Sequence, residues 1–434
     1  MDERIEALIN DCTACGACVR ACPTPAITGT DVSNPEDVAS GVRDLLKGEE
    51  GSEAARGWAA ECCGSGNCLS VCEEGINPRF MLTMARRQMS ETRPEPERRS
   101  EGKQAFKSMS RGVRVLSRLQ LPPEMMERLS PSSHPNRDTA PDLIFYTGCN
   151  MLKTPHIGLL CLDILDRLDA SYEVFGGPSN CCGILQLRPG DAANAARQTG
   201  RTLERFTARN PSALVSWCPT CQMQFSETMV DQAATSMEMK MLPVYLAGRL
   251  AELRPLMIHP VRKRVALHEY PGSPGVIDSV LALLDAVPEL EVVDLGVASI
   301  GYQLTSLSGI PDTQKKHIVE SLQKAEAAGV TTLAGIFHAD HRELVSHENQ
   351  WPFEIINYME LIGESMGLNR PDLFKRLKLM QDVDAILAAS KEMIETHGLD
   401  LEEVREVVTL DLLNDQYLPI DRSLHPDVDA IFAT

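Results

Sequence analysis

Cys12, Cys15, Cys18 and Cys22 stand two, two and three residues apart near the start of the chain, and Pro23 closes the run. Thiols at such intervals converge on one small volume, which is what thiolate ligation of a metal centre requires. The other cysteines are grouped as well. Cys62, Cys63, Cys68 and Cys72 form a second knot, and Cys149, Cys181, Cys182, Cys218 and Cys221 form three short clumps. Cys161 stands apart, and no cysteine follows Cys221. Ile157, Leu160, Cys161, Ile164, Leu165 and Leu168 share one helical face, so Cys161 is expected to be a buried core thiol.

The first run has the letters and spacing of bacterial ferredoxins, in which the fourth cysteine ligates the other of two clusters. A structural zinc site would use two separated pairs instead. The second knot departs from the ferredoxin pattern, which would place cysteines at 62, 65, 68 and 72: Ser65 stands at the second position, and Cys63 is extra. By analogy Cys12, Cys15, Cys18 and Cys72 hold one [4Fe-4S] cluster. Cys22, Cys62 and Cys68 hold a second, with Cys63, Ser65 or no residue as the fourth ligand. Cys63 is the first choice, because Gly64-Ser65-Gly66 leaves the loop pliable. With no fourth ligand the second cluster is of the [3Fe-4S] type.

A 434-residue chain can bury several domains, and its net charge of −19 argues against nucleic acid or an anionic membrane as the main partner. No apolar run is long enough for a transmembrane segment. No basic leader precedes an apolar stretch, so the cytoplasm is the expected location, with any membrane contact made through partners. Disulfides are not expected there. Residues 1–90 read as the ferredoxin-like domain. Residues 91–140 read as a solvated linker whose stretch from Arg86 to Arg118 is basic, with docking of an acidic partner as the alternative.

From 141 the pattern alternates strands with helices and predicts parallel sheets. Residues 141–260 form a first half and 261–365 a second. Residues 366–434 form a helical extension. Loops at the carboxyl ends of such strands are the usual place for a site. Cys149, Cys181-Cys182-Gly183 and Cys218-Pro219-Thr220-Cys221 all fall on them.

This last constellation is the CCG motif. It resembles the catalytic subunit of heterodisulfide reductases, whose relatives include iron–sulfur subunits of glycerol-3-phosphate, glycolate and lactate dehydrogenases and of sulfur-metabolism complexes. A ferredoxin-like module followed by such a domain is similar to the fused heterodisulfide reductase form, over about residues 5–345. The resemblance implies an α/β fold: a helical two-cluster N-terminal domain, a duplicated Rossmann-like CCG domain and a helical tail. It implies a noncubane [4Fe-4S] cluster on Cys149, Cys181, Cys182, Cys218 and Cys221. Zinc, an ordinary cubane or an empty site are the alternatives.

In the second copy Pro271, Gly296–Gly301 and Phe337–His341 stand where the family's cysteines would be. The fold is therefore expected without the second cluster. His338 and His341, with Asp340 and His268, are candidate zinc ligands or substrate contacts; decay without a role is the alternative. The implied function is electron transfer between the ferredoxin-type clusters and a cluster that handles a thiol, persulfide or disulfide sulfur. No Gly-x-Gly-x-x-Gly or phosphate-binding loop is present, so flavin chemistry is assigned to a partner subunit. The alternative is an electron carrier linking a flavoprotein dehydrogenase to a quinone or another carrier.

Overall fold

The computed structural model describes residues 2–134, 139–228 and 237–427. Residues 135–138 of the expected linker and 428–434 of the expected C-terminal extension lie outside the described residues.

The N-terminal region is helical. Helices Pro35–Leu46, Glu53–Glu61 and Pro78–Glu91 pack around a core of Val42, Leu45, Trp58, Phe80 and Met81. Each begins on a local signal. The Ser52 hydroxyl accepts from Ala55 N at 3.1 Å, and the Asn77 carbonyl accepts from Phe80 N at 2.9 Å, satisfying amides that a helix start leaves open. Proline stands at the first turn of the helices opening at 35 and 78, where a missing N–H costs nothing.

Two four-stranded parallel sheets follow. The strands are β1 (Leu143–Gly148), β2 (Tyr172–Gly176), β3 (Ala213–Ser216), β4 (Glu238–Met241), β5 (Arg264–His268), β6 (Glu291–Val293), β7 (Thr332–Gly335) and β8 (Glu354–Asn357). The orders are β2-β1-β3-β4 and β6-β5-β7-β8, the same path traced twice. Phe145 pairs with Val174 and Val215, and Ala266 pairs with Val293 and Leu333. β1 is buried at every residue, as a central parallel strand covered on both faces should be. One apolar core runs through both halves into the C-terminal helices, from Phe145 and Val265 to Val404 and Leu418. Cys161 lies fully buried within it.

β4 and β8 carry no clear strand signal in the sequence. Glu238-Met-Lys-Met has no β-branched residue, and Glu354-Ile-Ile-Asn has only two. Both are edge strands, set by pairing to β3 and β7 rather than by propensity.

The stretch expected to be a solvated linker contains a 24-residue helix, Glu95–Arg118. Met109, Val113 and Leu116, at helical spacing, are buried, and this apolar stripe was masked by the surrounding charge. Two of its basic residues are used internally: Arg111 reaches Glu406 at 2.8 Å, and Arg114 pairs with Glu403. Those pairs satisfy Arg111 and Arg114 within the chain, so these two are not left to dock an acidic partner.

Candidate iron–sulfur site

Three loops at the carboxyl ends of β1, β2 and β3 bring five thiols together. Neighbouring sulfurs lie within hydrogen-bonding reach in a row: Cys149 to Cys181, Cys181 to Cys182, Cys182 to Cys221, and Cys221 to Cys218. Cys181, Cys182 and Cys221 are almost wholly buried. The Cys181 neighbour and burial push the Cys149 thiol well up. Hydrogen bonds from Cys181 and then Cys221 pull Cys182 down to about 6.

Small residues make the convergence possible. Gly148 precedes Cys149, and a methyl group there would stand 3.5 Å from Cys221 Sγ. Gly183 has φ of +82°, and a Cβ on it would meet Thr199 Oγ1 at 2.6 Å and the Ala195 carbonyl at 2.7 Å. Thr199 donates to the Cys182 carbonyl at 2.7 Å and Thr202 to that of Cys181 at 3.0 Å, clamping the dipeptide to helix Ala192–Thr207. Gly183 N–H points at Cys181 Sγ at 3.4 Å. Tyr146, buried beside Cys221 and Cys182, donates to the Asn180 carbonyl at 2.7 Å.

In the N-terminal region Cys18 lies against Cys12 and Cys15, and burial first, then those neighbours, raise its thiol to about 12. Cys68 is raised to about 12 by burial and by Cys62, Cys18 and Cys22. Cys63 is 2% exposed; it neighbours Cys62 and Cys22, and its sulfur lies 3.5 Å from Thr24 Oγ1. The extra cysteine therefore faces inward, beside the residues with which the sequence grouped it.

Several side chains join the two regions, Tyr302 among them. Gly64, next to Cys63, has φ of +71°, and a Cβ there would sit 2.7 Å from the Tyr302 ring. The Tyr302 hydroxyl lies 3.2 Å from Thr220 Oγ1, between Cys218 and Cys221. Arg79 seals the joint, donating to the Gly64 carbonyl at 2.9 Å and to Glu227 Oε2 at 3.0 Å. Asn77 also donates to Glu227, at 3.1 Å, and Arg86 donates to the Cys62 carbonyl at 3.0 Å. A cavity of about 260 Å³ lies here, lined by Cys62, Gly64, Arg79, Glu227 and Tyr302 among others. Nothing local in the sequence marked Tyr302, because its partners are 82 and 238 residues away.

The histidines of the second half do not gather as expected. His338 Nδ1 accepts from Trp217 Nε1 at 3.2 Å. His341 Nε2 lies 2.7 Å from Asp372 Oδ2. Asp340 accepts from Phe337 N at 3.1 Å and Leu304 N at 3.4 Å, so it caps a helix. His268 packs against Tyr270 and His317. A metal set of His338, His341, Asp340 and His268 therefore does not form, because Trp217, Asp372 and two backbone amides engage the first three and His268 packs elsewhere.

Comparison with known proteins agrees with this geometry. Residues 7–77 match a 4Fe-4S dicluster domain and residues 143–226 a Cysteine-rich domain of the CCG type. The chain is thus an iron–sulfur protein that joins a 4Fe-4S dicluster domain to a CCG domain. Among curated proteins it resembles one subunit of the dihydromethanophenazine:CoB–CoM heterodisulfide reductase of Methanosarcina mazei. Identity is 21% over 402 residues, covering 83% of this chain and 94% of that one. It also resembles the glycolate oxidase iron–sulfur subunit of Escherichia coli K12, 23% identical over 195 residues, 42% of this chain and 48% of that relative. Both relatives are named as oxidoreductase subunits. Among the described residues no helix is long and apolar enough to cross a membrane.

Proposed function

We propose that this chain is the iron–sulfur redox subunit of a heterodisulfide reductase-like complex in sulfur metabolism, with a flavoprotein among its partners. Cys12, Cys15, Cys18 and Cys72 hold one cluster, and Cys22, Cys62, Cys63 and Cys68 the second. Cys149, Cys181, Cys182, Cys218 and Cys221 hold a noncubane [4Fe-4S] cluster. When bound, these groups supply one-electron transfer at potentials tuned by hydrogen bonding and burial.

The observation that carries the reading is the bridge at Tyr302, packed on Gly64 beside Cys63 and touching Thr220 between Cys218 and Cys221. The ferredoxin-type knot and the five-thiol site lie on opposite sides of that one side chain, as an internal electron path requires. The chain's own part is to converge the sulfurs, bury them and aim the Gly183 N–H at one of them. Five thiol donors from three loops exceed what a cubane or a tetrahedral zinc takes, which favours a less regular cluster. The second half carries no cysteines opposite the site, so a sulfur substrate would be met from one side.

The alternative, an electron carrier between a flavoprotein dehydrogenase and a quinone or other carrier, draws on the glycolate oxidase relative and on the absent second cysteine set. Iron analysis with low-temperature EPR and Mössbauer spectroscopy on anaerobically purified protein tests the site. About twelve irons per chain, four for each of three clusters, with a noncubane signature are expected. About eight irons, with zinc or nothing at the five thiols, would sink the reading. Turnover by the reconstituted complex that survives loss of the noncubane signal would favour the carrier.

A further inference from the structure

A second buried constellation lies apart from the cysteines. His156 sits in the first turn of helix Pro155–Arg167, and His341 on helix His338–Leu344. Glu360 lies on helix Tyr358–Ser365, and Asp372 is the N-cap of helix Leu373–Met380. One ligand atom from each of the four lies within 4.8 Å of the others. We propose that His156, His341, Glu360 and Asp372 bind one zinc ion, fastening both α/β halves to the C-terminal helices.

The donor set is the first argument. Two imidazoles and two carboxylates, all from protein, make the closed four-ligand set of a structural zinc site. With neutral imidazoles the set carries two negative charges, which one divalent cation neutralises. The two imidazoles are buried, at 2% and 0% exposed, and the Asp372 and Glu360 side chains keep 5% and 20% of their surface in solvent. The nearby Lys375 ammonium is engaged by Glu348 at 2.8 Å.

The second argument is an unmet need. Both ring nitrogens of His156 and Nδ1 of His341 are buried without a hydrogen-bond partner, an arrangement that costs stability unless something else occupies the space. His156 Nδ1 lies 3.4 Å from Asp372 Oδ1, and its Nε2 lies 3.6 Å from Glu360 Oε1. These separations are long for hydrogen bonds. One imidazole gives a single nitrogen to an ion, so one of the two stands for an edge of the tetrahedron, about 3.3 Å with metal bonds of about 2.0–2.1 Å, and the other leaves the second ring nitrogen facing a carboxylate.

The third is orientation. Asn357 N donates to Glu360 Oε1 at 2.8 Å, and Lys375 N donates to Asp372 Oδ1 at 2.9 Å. Backbone amides thus hold in place the same carboxylate oxygens that face His156, as the supporting groups of a metal site do. His341 stands one residue past the position that Cys221 holds in the first half, counted from the matching strands β3 and β7.

The test is zinc content and zinc K-edge absorption on the full chain, purified anaerobically, incubated with Zn²⁺ alone and freed of loose ion. About one zinc per chain with a nitrogen and oxygen shell at about 2.0–2.1 Å is expected. His341→Gln and Glu360→Gln should each weaken zinc retention at least about tenfold while iron content and cluster spectra stay unchanged. Absence of zinc, a sulfur shell at about 2.3 Å, or retention unaffected by both substitutions would overturn the proposal. Should both variants fail to fold, the shell around zinc in the parent chain decides alone: nitrogen and oxygen support the site, sulfur or no zinc refutes it. Iron content reports separately on the cysteine clusters, so the two readings fail independently.

Discussion

The two α/β halves share a strand order and a parallel sense, yet only one carries thiols at its strand ends. In the first half the loops after β1, β2 and β3 converge on a buried row of sulfurs. In the second, the loop after β6 sends Tyr302 across to Thr220, and the residues after β7 split between Trp217, which meets His338, and Asp372, which meets His341. Strand cores such as Phe145–Val215 and Ala266–Leu333 keep the sheet whatever stands on the loops. The difference teaches that a copy relieved of ligands becomes a cover and a brace for the copy that kept them.

The sharpest way to break the comparison is to remove one residue from each half. Cys182→Ala should lower iron by about four per chain and leave the spectra of the N-terminal clusters intact. His338→Ala should lower it by none, and iron analysis of the pair decides.

Glycines give the next contrast. Gly183→Ala puts a methyl group into Thr199 and Ala195 at positive φ and should cost about 3 kcal/mol, together with misplacement of Cys181 and Cys182. Gly296 also has positive φ but opens onto space, so Gly296→Ala should cost only about 1 kcal/mol in urea unfolding. Equal costs would mean that the CCG turn is no more constrained than an open glycine of the second half.

Acid should strain the second half. His317 is almost wholly buried, and burial lowers its pKa from 6.5 to about 4, against a smaller opposing pull from Glu320. An unfolded chain takes up the proton near pH 6.5 while the folded one refuses it until about 4. Stability is therefore full above 6.5 and falls as pH drops toward 4, by about 2–3 kcal/mol from this group. His317→Gln should flatten that part of the pH profile of unfolding, and an unchanged profile would place the acid sensitivity elsewhere. The smallest effect is expected of Tyr302→Phe, which removes one hydroxyl contact. It should cost about 1 kcal/mol of stability. Rapid-mixing optical kinetics should show slower internal electron transfer with all clusters present; an unaltered rate would mean that the ring alone makes the bridge.

Much of this molecule was readable from its letters. Ligand spacing is a local property, so the cysteine knots, the dicluster region and the CCG region follow from intervals such as Cys12-x2-Cys15 and Cys218-x2-Cys221. Helix starts at Pro35 and Pro78 and the strands β1, β2, β3, β5 and β7 follow from periodicity and from breakers. The inward turn of Cys63 follows from its pliable loop, though not from any pattern of its own.

What the tertiary structure decided is everything that depends on distance in space between residues far apart in sequence. Edge strands β4 and β8 exist because β3 and β7 offer them hydrogen bonds. The helix Glu95–Arg118 forms because C-terminal acids and an apolar groove receive it, which overrides its linker-like composition. His338 and His341 part because Trp217 holds one and Asp372 the other, partners that only packing supplies. Tyr302 meets Thr220, and His156 meets Glu360 and Asp372, because packing two similar halves against each other creates neighbours that no interval along the chain encodes.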